Sequence, residues 1–160
     1  MFARLVSELD YPVYVVTAAA GGELSGCLVS FSTQASIHPP RFLACISRKN
    51  HTYGIACAAS VLAVHLVSDE PGERSLAELF GHETGDSTDK FVCCAWHAGP
   101  EGVPLLDGLP NRFTGRVLDR LELGDHVGFL LEPIAVEKGE ELRKGLGFQQ
   151  AKKIEPGHEP

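Results

Sequence analysis

Short apolar runs broken by turn residues constrain this chain more than any other feature of its sequence. Runs such as Val13–Thr17, Phe42–Ser47 and Val61–Val67 are rich in β-branched or apolar residues, and Gly, Asn or Asp follows each within a few positions. Such runs are typical of strands joined by turns. Two further segments, His51–Ser60 and Ser75–Phe80, predict short helices. The pattern therefore predicts a mostly β fold, a barrel or a sandwich, with a few short helices.

Charge and cysteine usage narrow the class of protein. The chain has 160 residues, 14 basic against 21 acidic, and a net charge of −7, which excludes a general nucleic-acid binder. Its longest apolar run, Tyr11–Ala20, is half as long as a membrane-spanning helix. Glu8 and Asp10 stand where a signal peptide carries positive charge. The five cysteines form no C-x-x-C pair and favour a reducing compartment. We expect a cytoplasmic protein with no nucleic-acid or membrane partner.

Composition changes near the end of the chain. From Glu137 onward Lys and Glu alternate, apolar residues are few, and Pro156 and Pro160 close the sequence. A segment of this composition has little to bury in a core. The sequence therefore predicts one domain over residues 1–136 and a charged, mostly exposed tail over 137–160.

Several kinds of site are not expected. The seven histidines are scattered, with no pair at H-x-H or H-x-x-x-H spacing, so no metal site is predicted. The chain has no G-x-S-x-G nucleophile elbow, no G-x-G-x-x-G and no Walker loop. Serine-hydrolase, Rossmann and P-loop chemistry are therefore not indicated.

The segment Ser47–Thr52 carries the strongest local signal. It joins a predicted strand to a predicted helix, for which Asn50 is a suitable N-cap. Unpaired N–H groups and the helix dipole attract an anion at such a point. Arg48 and Lys49 add positive charge. The segment predicts a phosphate site, with an ordinary capped helix bearing solvated basic residues as the alternative.

Two other segments are typical of a ligand site. The predicted strand Leu24–Thr33 is unusually rich in hydroxyl groups, and its Gly26 lets a backbone or a flat ligand approach closely. The glycine-bearing polar loop between Phe80 and Phe91 could fold over a ligand. A half-exposed strand and a solvated surface loop are the alternatives.

Taken in order, these pieces resemble a known family. The hydroxyl-rich strand, Pro39-Pro40, an apolar strand and Asn50-His51-Thr52 come first. Phe80-Gly81, Thr84-Gly85-Asp86, Asp89-Lys90-Phe91 and Gly124-Asp125-His126 follow. Over about residues 5–136 the chain resembles the flavin reductase-like FMN-binding split-barrel family. The resemblance implies a Greek-key split β-barrel that forms a homodimer and binds FMN near the subunit interface.

The resemblance also implies a set of site residues. Cys27 to Ser30 match the stretch that lines the flavin ring, and Ser47 to Thr52 match the stretch that holds the phosphate. His126 matches a histidine that faces the ring or the nicotinamide and is the one catalytic candidate, with a surface histidine capping a turn as the alternative. The implied cofactor-binding residues are Cys27, Leu28, Val29, Ser30, Ser47, Arg48, Asn50, His51, Thr52, Lys90 and Phe91.

The activity implied is an oxidoreductase that passes electrons from NADH or NADPH to flavin, serving a redox or monooxygenase partner. Two alternatives stay open. The first is a non-enzymatic flavin-binding or electron-transfer module that a redox partner protein reduces. The second is a β-barrel oxidoreductase that uses a deazaflavin or haem. The sequence does not choose between NADH and NADPH, nor between a tightly held flavin and a released one.

Overall fold

The computed structural model describes residues 1–82, 89–141 and 144–153, and over these ranges the chain is mostly β with a few short helices. None of the helices in these ranges is long and apolar enough to cross a membrane. The strands are β1 (Tyr14–Ala20), β2 (Glu23–Val29), β3 (Ser32–Ser36), β4 (Arg41–Ser47), β5 (Val61–Leu66), β6 (Trp96–Ala98), β7 (Pro104–Leu106), β8 (Arg112–Glu122) and β9 (His126–Glu137). The helices are α1 (Phe2–Val6), α2 (His51–Ala58), α3 (Pro71–His82), a 3-10 turn (Pro100–Gly102) and α4 (Phe148–Ala151).

Seven strands form one antiparallel sheet in the order β2-β1-β5-β8-β9-β4-β3, and β6 pairs with β7 separately. The two outer strands, β2 and β3, follow each other in the chain through Ser30 and Phe31. The N–H of Cys45 in β4 donates to the Phe31 carbonyl at 3.0 Å. The described strands thus form an open sheet rather than a closed barrel, and the link between its outer strands lies beside β4.

The main hydrophobic core joins the central strands to α2. Fully buried side chains from β1, β4, β5 and β9 meet in it, and α2 packs against β1 and β2. These side chains come from the β-branched and aromatic runs of the sequence. Residues of these types favour strands, which explains why the runs pair with one another in the sheet. The largest are Val16, Ile46, Leu62, Val64, Phe129 and Leu131. The core fixes α2 at the end of β4, where the polar segment Ser47–Thr52 lies.

A second apolar cluster covers the other side of β1 and β2. It contains Phe80 of α3, Phe91 and Leu106 of β7. Leu146, from the segment expected to form an exposed tail, belongs to it and is 2% exposed. The Val13 N–H donates to the Leu146 carbonyl at 3.1 Å. The stretch around Leu146 is therefore packed against the sheet, while 142–143 and 154–160 lie outside the described residues.

Candidate functional site

A pocket of about 360 Å³ opens where β2, β4 and the β8–β9 turn come together. Strand β2 forms one wall and the end of β4 the other, because the link between β2 and β3 turns the chain back across β4. Its lining residues come from four separate stretches of sequence. They are Cys27, Leu28, Val29, Ser30, Phe31, Cys45, Ile46, Ser47, Asn50, Asp125 and His126.

Strand β2 offers this pocket its backbone more than its side chains. It is an outer strand of the sheet and pairs with β1 along one edge, so its other edge presents N–H and C=O groups. Cys27 is fully buried, and burial raises the pKa of its thiol to about 11. A thiol with so high a pKa stays protonated and unreactive. Polar contacts on this wall therefore come from the backbone and from Ser30.

The N-terminus of α2 closes the end of the pocket. The Asn50 side chain caps it, since Oδ1 accepts the Thr52 N–H at 2.9 Å. The Thr52 hydroxyl shares a buried 2.8 Å hydrogen bond with the Ser25 hydroxyl of β2. Thr52 is 1% exposed, so it ties α2 to β2 from within the core. The Lys49 N–H donates to the Ser47 hydroxyl at 3.3 Å. The helix thus points its positive dipole end at the pocket.

A hydrogen bond to Asp125 orients the imidazole ring of His126 in the wall of the first pocket. Nδ1 lies 2.7 Å from an Asp125 carboxylate oxygen, and a carboxylate only accepts, so Nδ1 carries the proton. This hydrogen bond lowers the pKa of Asp125. The imidazole also packs on Phe31, with ring centroids 5.0 Å apart. Nε2 is therefore the ring nitrogen left for a ligand.

Arg48 lies at the edge of the pocket with its guanidinium on the β8–β9 turn. Nε donates to the Gly124 carbonyl at 3.0 Å, and the guanidinium forms an ion pair with Glu122. It also stands 5.9 Å from the centroid of the Tyr53 ring. These contacts join the start of α2 to the turn that carries His126.

A second pocket, of about 380 Å³, continues along β2. It is lined by Glu23, Leu24, Ser25, Gly26, His51, Asp89, Lys90, Phe91, Val92 and Trp96. Consecutive stretches of β2 line the two pockets, and so do Asn50 and His51, which are adjacent in sequence. The two pockets therefore form neighbouring parts of one elongated site that passes the N-terminus of α2.

Lys90 holds the wall of the second pocket together. It is 6% exposed, and its Nζ donates to the Gly26 carbonyl at 3.2 Å and to the Phe80 carbonyl at 3.1 Å. Phe80 packs so closely on β2 that a Cβ at Gly26 would lie 2.6 Å from its Cε1 atom. Glycine at this position therefore serves the packing of α3 on β2.

The structure brings most of the predicted site residues together. Cys27, Leu28, Val29, Ser30, Ser47, Asn50 and His126 line the first pocket, and His51, Lys90 and Phe91 line the second. Arg48 lies at the first pocket's edge and Thr52 behind its wall. Most of the polar loop between Phe80 and Phe91, residues 83–88, falls outside the described residues.

Sequence reasoning missed four residues of the first pocket. Cys45 and Ile46 precede Ser47 in an apolar strand, and Phe31 and Asp125 lie in a link and a turn. Phe31 lies between two serines in the predicted strand Leu24–Thr33, and this position is the sequence signal that could have identified it. No local signal brings β4 beside Asp125, because Ser47 and His126 pair across 79 residues of sequence (126 minus 47).

Comparison with known proteins gives a consistent result. A model of the flavin reductase-like domain matches residues 6–155. The NADH-dependent FMN reductase RutF of Ancylobacter novellus is 25% identical over 140 residues, 84% of this chain and 72% of that protein. The reductase component of a 4-nitrophenol monooxygenase from Rhodococcus opacus is 30% identical, over 86% of this chain and 71% of that protein.

A solved structure agrees with these relatives. The NADH:FAD oxidoreductase SgcE6 of Streptomyces globisporus has a TM-score of 0.78 and 28% identity, over 92% of this chain and 86% of that one. Two further relatives are longer, and the chain spans 42% and 60% of their lengths.

Proposed function

The chain belongs to the flavin reductase-like domain family, and from that premise we propose that it is an FMN-dependent oxidoreductase that passes hydride from NADH or NADPH to flavin. One observation carries the proposal. The elongated site runs along the outer edge of β2 and past the N-terminus of α2. A backbone edge and a helix N-terminus are the two features that a flat polar ring joined to a phosphate requires.

The residues present fit FMN in size and in chemistry. Each pocket, at about 360 and 380 Å³, lies within the range of roughly 300–1,000 Å³ found for small-molecule sites. The first has a wall of backbone groups and apolar side chains, which suits an isoalloxazine ring. Bound FMN would supply the hydride-accepting ring and so the redox chemistry itself.

Different groups of the chain would hold different parts of the cofactor. Backbone groups of Cys27 to Ser30 would contact the ring, and Ser47, Asn50 and the positive dipole end of α2 would hold the phosphate. His51 would add a polar group at the second pocket, and Lys90, whose Nζ donates to the Gly26 and Phe80 carbonyls, would hold the wall beside it. Phe91 and Lys90 would close this end of the site over the cofactor.

His126 would act on the nicotinamide rather than on the flavin phosphate. Its Nδ1 proton is committed to Asp125, and Phe31 supports the face of its ring. Nε2 can therefore orient the donor or hold a proton beside the ring edge. Hydride transfer needs no side-chain base, so this contribution is one of position.

The assembly and its partners are part of the proposal. We expect a homodimer, in which the second copy covers the open side of the flavin site. The relative from Rhodococcus opacus is the reductase component of a monooxygenase, and we expect reduced flavin from this chain to serve such a partner. A cytoplasmic location remains a prediction from the cysteine pattern.

Flavin binding tests the proposal directly. Purified protein titrated with FMN should quench the flavin's fluorescence at one site per subunit, and flavin released by heating should be FMN rather than FAD. Ser30→Trp should abolish binding by filling the first pocket, whereas Thr33→Trp, on the exposed side of the neighbouring strand β3, should bind normally. Wild-type protein that neither contains nor binds FMN would exclude the function proposed.

A further inference from the structure

We propose that Arg48 is a positioning residue that holds the β8–β9 turn, and with it His126, in place at the pocket. The resemblance placed Arg48 among the cofactor ligands, but its contacts favour this other role. The inference rests on the proposed function for what His126 does, and on geometry alone for what Arg48 does.

Every described contact of the Arg48 guanidinium lies on the hairpin or on α2. Nε donates to the Gly124 carbonyl at 3.0 Å, and Glu122 forms an ion pair with the same group. The Tyr53 ring lies 5.9 Å beneath it. The Arg48 backbone N–H adds a fourth contact, to the Asp125 carbonyl at 2.9 Å. The backbone N–H and the side chain of Arg48 thus donate hydrogen bonds to two consecutive carbonyls of the turn.

The turn gains little support from packing. The Asp125 side chain is 87% exposed, and Leu123 is 58% exposed. Gly124 has a φ of 148°, which suits glycine better than other residues. Within the hairpin, the Leu123 N–H donates to the His126 carbonyl at 3.2 Å. A turn this exposed depends on its hydrogen bonds, and Arg48 donates two of them.

The His126 backbone pairs with Ser47 of β4, whereas the orientation of its ring depends on the turn. Asp125, which orients the imidazole through Nδ1, is itself a turn residue. Phe31, which supports the ring face, lies in the link between β2 and β3. A shift of the turn therefore moves the orienting carboxylate of Asp125 and turns the His126 ring away from Phe31. Loss of Arg48 should affect the step that uses His126 while leaving the phosphate site intact.

The test compares Arg48→Ala with a matched arginine. Arg41 also donates to a carbonyl, that of Pro40 at 2.7 Å, and lies 3.6 Å from Glu132, but it stands at the opposite end of β4. Arg48→Ala should lower FMN and riboflavin affinity by the same small factor. It should slow flavin reduction at saturating nicotinamide by about tenfold, and Arg41→Ala should change neither.

Two further variants identify the route of the effect. Arg48→Lys should recover part of the rate, because an ammonium can still bond to Gly124 and pair with Glu122. Arg48→Ala combined with His126→Ala should be no slower than His126→Ala alone, since the first change acts through the second residue. Additive losses would overturn the proposal. So would a tenfold loss of FMN affinity with riboflavin binding unchanged, because that result makes Arg48 a phosphate ligand.

A readout on flavin-free protein separates this inference from the proposed function. The His126 ring signals in a carbon–proton NMR spectrum can be assigned by their loss in His126→Ala. They should shift or broaden in Arg48→Ala and stay in place in Arg41→Ala. Unchanged signals in Arg48→Ala would contradict the positioning role even if the wild-type protein binds FMN. If the signals shift but the protein binds no flavin, the positioning role of Arg48 stands and the proposed flavin reductase function is wrong.

Discussion

His126 has one ring nitrogen committed to Asp125, which leaves Nε2 to face a ligand in the first pocket. His126→Ala should therefore slow reduction by nicotinamide while FMN affinity stays near that of the wild type. We expect a loss of about tenfold, equivalent to about 1.4 kcal/mol of barrier, because the chemistry belongs to the flavin. Stopped-flow reduction of the FMN-loaded variant measures this step. Unchanged rates with both NADH and NADPH would make His126 a turn-capping residue.

His65 makes the stability of the fold depend on pH. It is fully buried, its Nδ1 donates to the Val15 carbonyl at 3.0 Å, and its Nε2 accepts the Leu106 N–H at 3.0 Å. Only the neutral ring satisfies both bonds. Burial lowers the pKa of His65 to about 4 from an ordinary 6.5. The ring therefore ties β1 to β7 as long as it stays unprotonated.

The sign of this effect follows from proton linkage. Between pH 6.5 and 4 the unfolded state binds a proton at His65 that the folded state excludes, so the free energy of unfolding falls as the pH falls. The loss should reach about 3 kcal/mol at pH 4. Urea unfolding across this range measures it. His65→Gln does not titrate and should show a shallower dependence, and an equal slope in both proteins would contradict the assignment.

At the scale of elements, the contact between β2 and α3 depends on Gly26. A Cβ at this position would lie 2.6 Å from the Phe80 ring, so Gly26→Ala should destabilise the protein by about 1–3 kcal/mol through overpacking. Gly54 of α2 is the matched control, since nothing lies within 4 Å of its added Cβ. Gly54→Ala should stabilise the helix by about 0.5–1 kcal/mol. Thermal unfolding that moves both variants in the same direction would contradict this description of the packing.

Helices and strands could be predicted from the sequence where a single local pattern determines the element. Asn50 and the following residues form the capped helix expected, and β4 and β5 lie close to their predicted runs. The predicted strand Leu24–Thr33 divides into β2 and β3, because the chain crosses from one edge of the sheet to the other at Ser30 and Phe31. Nothing in the alternation of side chains marks that crossing.

The apolar run Phe91–Trp96 also predicts a strand, and this prediction is wrong over most of its length, because turns and bends occupy residues 91–94 and β6 begins only at Trp96. Its apolar residues are explained by burial without strand pairing. Phe91 is 9% exposed and packs on Phe80 and Trp96. The Trp96 indole donates to the Phe91 carbonyl at 3.0 Å. An apolar run indicates burial, and only its pairing partner decides whether it is a strand.

At the scale of the whole molecule, local sequence predicted a mostly β chain but could not predict how the strands meet. The elongated site exists because β4 pairs with β9 and so brings Ser47 beside His126. That pairing is long-range, and its partners are selected by the common core rather than by either segment. The predicted cofactor-binding residues came from the family resemblance rather than from spacing. The resemblance did not supply Arg48's contacts with the hairpin, which only the folded chain shows.

The proposed homodimer predicts a measurable mass in solution. Several large apolar side chains of the described surface are exposed, among them Phe2, Leu5 and Val136. A symmetric second copy is the commonest way to cover such surface. Sedimentation at micromolar concentration should give about twice the mass of one chain. A clean monomer that still binds FMN would show that the site is complete within one subunit.

Anaerobic reduction of the FMN-loaded protein by nicotinamide tests the central claim most directly. Mixing with NADH or NADPH in a stopped-flow instrument should bleach the visible absorbance of the flavin, in proportion to the nicotinamide added and without any other protein. The donor that bleaches it faster also settles the choice between the two nucleotides. Flavin that stays oxidised with both nucleotides, and is reduced only through a redox partner protein, would contradict the reductase function and leave a flavin-binding electron-transfer module.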